Sequence, residues 1–324
     1  MAPPVLATVW RGSVCEAVVR GHVAIVDGSD RLVASAGEPG SVTTLRSCVK
    51  PIQALPFARL AMASLGASPS ELAVACASHN GEEEHVRTVL GLLARAGVGE
   101  TALSCGPQLP FDEESARRLL ASGASPAPIH NNCSGKHAAM LATCAVMGWP
   151  LEGYAQPGHP CQQAVTAALS EFLGDGLAHA PWGIDGCGLP TYGLPLSGVA
   201  RGFASAAADS DFRACQDAMA AHPHLVAGTA RFDTAVLAAA GADVTVKIGG
   251  AAVWAAVVRP DGPGIAIKLE AGAGEAMPAV AVAVLRQLGV LPDPLPRELE
   301  PFERPIQRNW AGAAVGEIRA EPPL

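Results

Sequence analysis

A serine and a lysine three positions apart, Ser47 and Lys50, stand in Arg46-Ser47-Cys48-Val49-Lys50-Pro51 at the head of a long apolar run. On a helix, residues three apart share a face. The lysine amine then lies one turn from the serine hydroxyl, placed to act as its general base. A serine hydroxyl is a weak nucleophile until a base takes its proton. An ordinary lysine, with a pKa of about 10.4, is mostly protonated and cannot take it. Burial and neighbouring cations lower that value by disfavouring the charged form, and Arg46 is such a neighbour. Free N–H groups at a helix start can hold a developing oxyanion. Taken alone, the spacing fits a helix N-cap serine followed by a solvated lysine better.

Three further clusters carry reactive types. Ser78-His79-Asn80-Gly81-Glu82 follows the short apolar run Leu72 to Ala77, which reads as a buried strand or core segment. Small polar residues directly after a core segment mark the place where a buried element reaches a cleft. His130-Asn131-Asn132-Cys133-Ser134-Gly135-Lys136-His137 repeats, in Cys133 and Lys136, the spacing of Ser47 and Lys50. The third, Gly183 to Tyr192, reads as irregular backbone carrying Asp185 and Cys187. As plain structure, these cysteines are buried thiols.

These clusters must be positioned by the elements around them. Residues 13 to 36 predict a hairpin turning at Asp27-Gly28. Pro51 lacks a backbone N–H, so it belongs to the first turn of a helix running to Leu65, which puts Ser47 and Lys50 at the helix mouth. Glu82 to Ala96 has apolar residues at helical spacing, and Ala138 to Met147 predicts another helix. Residues 199 to 240 read as helices broken at His222-Pro223 and Gly228. Strands return at Val244–Ile248, Val253–Val258 and Ile265–Glu270, the last carrying Lys268, and a helix follows from Met277 to Leu288. Strands at both ends and helices between predict an α+β fold: one antiparallel sheet built from the N- and C-terminal strands and packed with the helical middle. No linker or repeat divides the chain, so residues 1–324 read as a single domain.

Composition narrows the partners. At 49% hydrophobic and 16% charged over 324 residues, the chain can bury a substantial core. Aromatics are only 4%, so Ala, Val and Leu must build that core. A net charge of -8 without any basic run argues against nucleic acid or an anionic membrane surface as partner. No apolar run reaches membrane-spanning length. Nine scattered cysteines, and an N-terminus without a basic-then-apolar segment, predict a reducing cytoplasm.

Together, Arg46-Ser47-x-x-Lys50-Pro51-x-Gln53, Ser78-His79-Asn80-Gly81-Glu82, His130 to His137 and Asp185-Gly186-Cys187-Gly188-x-Pro190 resemble the rhizobial-type asparaginase II family in order and spacing. Gly264-Ile265-Ala266-Ile267-Lys268 and Asn309-x-x-Gly312-x-x-x-Gly316-Glu317 extend the resemblance over nearly the whole chain. The resemblance implies hydrolysis of L-asparagine to L-aspartate and ammonia, a homodimer, and a fold similar to serine β-lactamases and glutaminases. It implies Ser47 as nucleophile with Lys50 as base, and Ser78 with Lys268 as a second pair. It also implies zinc on Cys133, Lys136 and Cys187; two thiolates suit zinc, and spacing alone would put His137 in place of Lys136.

A zwitterionic substrate needs both ends paired. Arg46 is the candidate for the α-carboxylate and Asp185 for the α-ammonium, with His79, Asn80 and His137 as further hydrogen-bonding candidates. Arg231 and Lys247 read as structural. Two departures lie beside the Lys268 strand: Ala251 stands where the pattern usually carries glutamate, and Ala271 where it usually carries aspartate. Cys48 replaces a usual small residue. The rivals are a Ser-Lys hydrolase acting on glutamine, a β-lactam or a peptide, and a non-catalytic zinc-stabilised protein that binds asparagine.

Overall fold

The computed structural model describes every residue except Met1 and Pro323. Eleven strands form among the described residues. From the N-terminal side come β1 (Val5–Arg11), β2 (Val14–Val26), β3 (Leu32–Ala36) and β4 (Val42–Thr44). The middle supplies β5 (Trp182–Ile184) and β6 (Pro190–Pro195). The last third supplies β7 (Val244–Gly249), β8 (Val253–Val258), β9 (Gly264–Leu269), β10 (Ile306–Arg308) and β11 (Ala314–Ala320).

The fold is α+β, and its main sheet is antiparallel with strand order β10-β11-β1-β2-β9-β8-β7, β3 pairing with β2. The two ends of the chain therefore share one sheet, as the sequence pattern predicts. The seam is β2 against β9, where His22 lies opposite Lys268 and Val23 opposite Ile267. Val23, Ala24, Ile25 and Val26 are all buried, as an apolar run covered on both faces must be. The helix Leu196–Ala206 packs on β2, β8 and β9, and the helix Met277–Gln287 packs on β1 and β11.

Three local expectations need correction. Leu72 to Ala77 is a buried core segment, as expected, but not a strand: Leu72 to Ala75 close the helix Pro69–Ala75, with Cys76 as its cap. Ser68 starts that helix with a capping box to Glu71, and Pro69 takes a first-turn position, where its missing N–H costs nothing. The run after Pro51 is not one helix but three short ones, Lys50–Gln53, Leu55–Leu60 and Met62–Leu65. Pro56 cannot donate the intrahelical bond that would join the first two. Gly183 to Tyr192 is not wholly irregular, since β5 and β6 pair with each other, and β6 pairs with β4, in a small second sheet.

The helix Ser134–Met147 runs through the middle of the helical layer, and every residue from Ser134 to Cys144 is buried. It starts four residues before the expected Ala138, so Lys136 and His137 lie in its first turn. Gly135 is required there: a Cβ would collide with the Val74 carbonyl of the neighbouring helix.

Candidate functional site

A cavity of about 360 Å³ opens where four of these elements meet. Its walls include Arg46 and Ser47 from the turn Arg46–Val49, Ser78 just past the helix Pro69–Ala75, Cys133 at the start of the central helix, and Asp185 and Cys187 from the β5–β6 connection. Gly249 and Gly250 at the end of β7 close another side. The volume suits a small metabolite.

Arg46 takes a left-handed backbone, φ 47°, immediately before Ser47. Such a conformation costs a non-glycine residue on the order of 1–3 kcal/mol and persists only where surrounding contacts impose it. Here the backbone N–H of Arg46 donates to Thr191 Oγ1 at 3.2 Å, tying the turn to β6. Its Nε lies 2.8 Å from Asp185 Oδ1, an ion pair without an aligned hydrogen bond. Gly250 leaves room for the guanidinium, since a Cβ there would sit 2.7 Å from Nη2. Ser47 follows, half-buried on the cavity wall, with its hydroxyl unengaged by any described residue.

Lys50 is fully buried. Its Nζ donates to the Ala77 carbonyl, to Ser78 Oγ at 2.9 Å and towards Cys133 Sγ at 3.2 Å. Burial lowers its pKa and the Lys136 cation adds to that, against the opposing pull of the Cys133 and Cys187 sulfurs. Ser78 is buried except where it meets the cavity.

The three residues expected at a metal do come together. Lys136 Nζ donates towards Cys187 Sγ at 3.4 Å, and Cys133 shares the cavity wall with Cys187. The neighbouring Cys187 sulfur, with Lys50 and Lys136 as nearby cations, holds Cys133 well below the usual thiol range, and Cys133 with burial pushes Cys187 up. Two buried amines thus flank the two sulfurs that line the cavity.

The remaining expected residues are less direct. His79 is fully buried and does not line the cavity; Gly81 N–H donates to its Nδ1 at 3.1 Å, so Nε2 carries the proton and faces Ser134 Oγ at 3.0 Å. His137 is fully buried, with Nδ1 2.6 Å from Tyr154 Oη and no partner for Nε2. Asn80 stands behind the wall and accepts a 2.8 Å hydrogen bond from Arg231 Nη1. Lys268 does not line the cavity; it donates to the Ala251 carbonyl in the β7–β8 turn. That turn is left-handed at both Ala251 (φ 57°) and Ala252 (φ 52°), as is the chain at Ala271 (φ 56°). Both sequence departures therefore fall on backbone that disfavours an L side chain.

Sequence reasoning missed Gln108, Phe111 and Arg231 on the cavity wall. The first two stand in a segment without regular structure or a recognisable pattern. Arg231 follows Gly228-Thr229 at the break before the helix Phe232–Ala240, and that break was its only signal. Lys247, by contrast, is fully buried and paired with the equally buried Asp233 at 3.4 Å.

Comparison with known proteins agrees with the motif order. The chain matches the family model of L-asparaginase II over residues 7–320. No curated protein matches it.

Proposed function

The chain belongs to the L-asparaginase II family, and from that premise we propose that it hydrolyses the side-chain amide of L-asparagine, giving L-aspartate and ammonia. The observation that carries the mechanism is the 2.9 Å contact between the buried Lys50 amine and Ser78 Oγ at the wall of the cavity.

In this reading neutral Lys50 accepts the Ser78 proton while Oγ attacks the amide carbon. The C–N bond then breaks, the proton passes from Lys50 to the leaving nitrogen, and ammonia departs. Water enters, gives a proton to Lys50 and cleaves the aspartyl ester, and Ser78 regains its proton. A second reading places the ester on Ser47, supported by its free hydroxyl on the same wall. Lys50 is the base in both. Lys268 enters by holding the turn that carries Gly249 and Gly250, through the Ala251 carbonyl.

Zinc fits the donor set of Cys133, Cys187 and Lys136. Adjoining sulfurs and a thiolate-favouring environment at Cys133 suit a soft divalent cation. Lys136 binds only as free amine, so a metal must displace its proton. Bound there, zinc would supply a fixed positive charge beside the cavity. The proposal extends to a cytoplasmic homodimer without nucleic-acid or membrane partners. Among the described residues no helix is long and apolar enough to cross a membrane.

The test is ammonia release by purified protein offered L-asparagine, L-glutamine and a chromogenic β-lactam. Release from asparagine at enzyme-like turnover is expected. Cleavage of the β-lactam, or preference for glutamine, would replace this reading. Binding of asparagine without release would make the protein a non-catalytic receptor.

A further inference from the structure

We propose that Arg231 holds the α-carboxylate of the substrate and thereby makes a free amino acid the preferred ligand. The inference rests on the asparagine hydrolysis proposed above and deepens it. Two guanidinium groups and one carboxylate line the cavity: Arg46, Arg231 and Asp185. Arg46 is already neutralised, its Nε lying 2.8 Å from Asp185 Oδ1. Arg231 is not. Among the described residues no carboxylate lies within ion-pair distance of it, and its hydrogen bond within the chain goes to the neutral amide oxygen of Asn80. A guanidinium has five N–H donors in a planar fork, so most of the fork remains for a ligand.

The surroundings hold this cation in place without cancelling it. Asn80 Nδ2 donates to Glu82 Oε1 at 3.0 Å and to the Thr229 carbonyl at 3.1 Å, which fixes the amide that Arg231 grips. The nearest carboxylate in that chain of contacts, Glu82, also accepts from Thr229 N–H and Oγ1 at 2.8 and 2.9 Å. Phe111, also on the cavity wall, sets its ring 5.9 Å from the guanidinium carbon. Ala230, immediately before, is left-handed at φ 57°, so the backbone that presents Arg231 is itself constrained.

An anchored planar cation with free donors at the edge of a small cavity is complementary to a carboxylate by bidentate geometry. The opposite charge is supplied by Asp185, whose Oδ2 has no hydrogen-bond partner among the described residues and suits the α-ammonium. Arg46, the sequence candidate for the carboxylate, then serves to orient Asp185. Asn80 is a positioning residue that acts through Arg231.

The experiment compares wild type with R231L and R231K, using asparagine and two analogues as competitive inhibitors. One is 3-aminopropanamide, which lacks the α-carboxylate; the other is succinamate, which lacks the α-ammonium. In R231L the KM for asparagine should rise on the order of 100-fold while kcat changes little, as expected for loss of an ion pair made equally in ground and transition states. The inhibition constant of succinamate should rise in step, and that of 3-aminopropanamide should stay put. R231K keeps the charge but loses the fork, and should fall between. An unchanged KM in R231L overturns the assignment, as does a parallel loss of 3-aminopropanamide binding, which marks a structural role. Either result leaves wild-type ammonia release intact. A wild type inactive on asparagine and unable to bind it overturns the proposed function and this inference together.

Discussion

Lys50 Nζ and Ser78 Oγ meet at 2.9 Å although 28 positions separate them in the chain. Lys50 thus reaches the serine of the next cluster, while Ser47, three positions before it in sequence, has no hydrogen-bond partner for its hydroxyl among the described residues.

Replacing Lys50 with methionine keeps its length and apolar stem and removes the base. Turnover should fall by about 10²–10⁴-fold, with the melting temperature held or raised, because a buried amine is costly to bury. Ammonia release and thermal unfolding on one preparation check this. Near-normal release would remove Lys50 from the mechanism.

Ser78→Ala and Ser47→Ala separate the two ester sites. If Ser78 carries the ester, acid-quenched wild type and S47A show the mass of an aspartyl adduct in mass spectrometry, and S78A shows none. An adduct that survives in S78A and vanishes in S47A moves the ester to Ser47.

Metal removal has its own signature. Chelation should lower asparagine binding or stability and free the Cys133 and Cys187 thiols for slow alkylation, and zinc should restore both. Protein purified without chelators that contains no zinc by elemental analysis would end the zinc proposal.

Acid should loosen the fold through histidine. Burial, with neighbouring positive charge, holds His79 well below its usual pKa of about 6.5. Above that value the ring is neutral in both the folded and the unfolded chain. As pH falls through it, the unfolded chain takes up a proton that the folded one refuses, so stability is lost towards acid, at up to about 1.4 kcal/mol per pH unit for one group. Denaturant unfolding at pH 7 and 5.5 should show the loss, and His79→Gln should make it shallower by close to one proton. An identical slope in the variant would show that His79 does not contribute.

Lys247 and Asp233 form an ion pair with both side chains fully buried. Removing one partner strands the other, so Asp233→Asn should cost about 3–5 kcal/mol, while replacing both with apolar residues of similar volume should cost far less. A double-mutant cycle on unfolding free energies measures the difference, and additive losses would refute it.

What the sequence made legible was local. The helix Glu83–Arg95 and the strands β7 to β9 carry their periodicity in consecutive residues, and their positions match the expected ones closely. The capping box at Ser68 was equally local but was overlooked beneath an apolar run. The rest was written in pairs that no window contains. β4 is a three-residue strand because β6, some 150 positions on, lies beside it. Arg231 looked structural because nothing near it in sequence is catalytic; Asn80, 151 positions away, brings it to the cavity. Cys133 and Cys187 could be matched only through family resemblance, since their meeting on the cavity wall depends on where the central helix begins.

The seam between β2 and β9 also sets a schedule for synthesis. Val23 leaves the ribosome long before its partner Ile267, and in the interval β2 has β1 and β3 beside it but not β9. Ser47, Ser78, Cys133, Cys187 and Arg231 all emerge earlier than the strand that carries Lys268, whose amine braces the Ala251 carbonyl of the glycine wall. A nascent chain should therefore hold its reactive groups in an unfinished cleft. Pairings over that distance in sequence form slowly, so this wall of the cleft is completed late in folding.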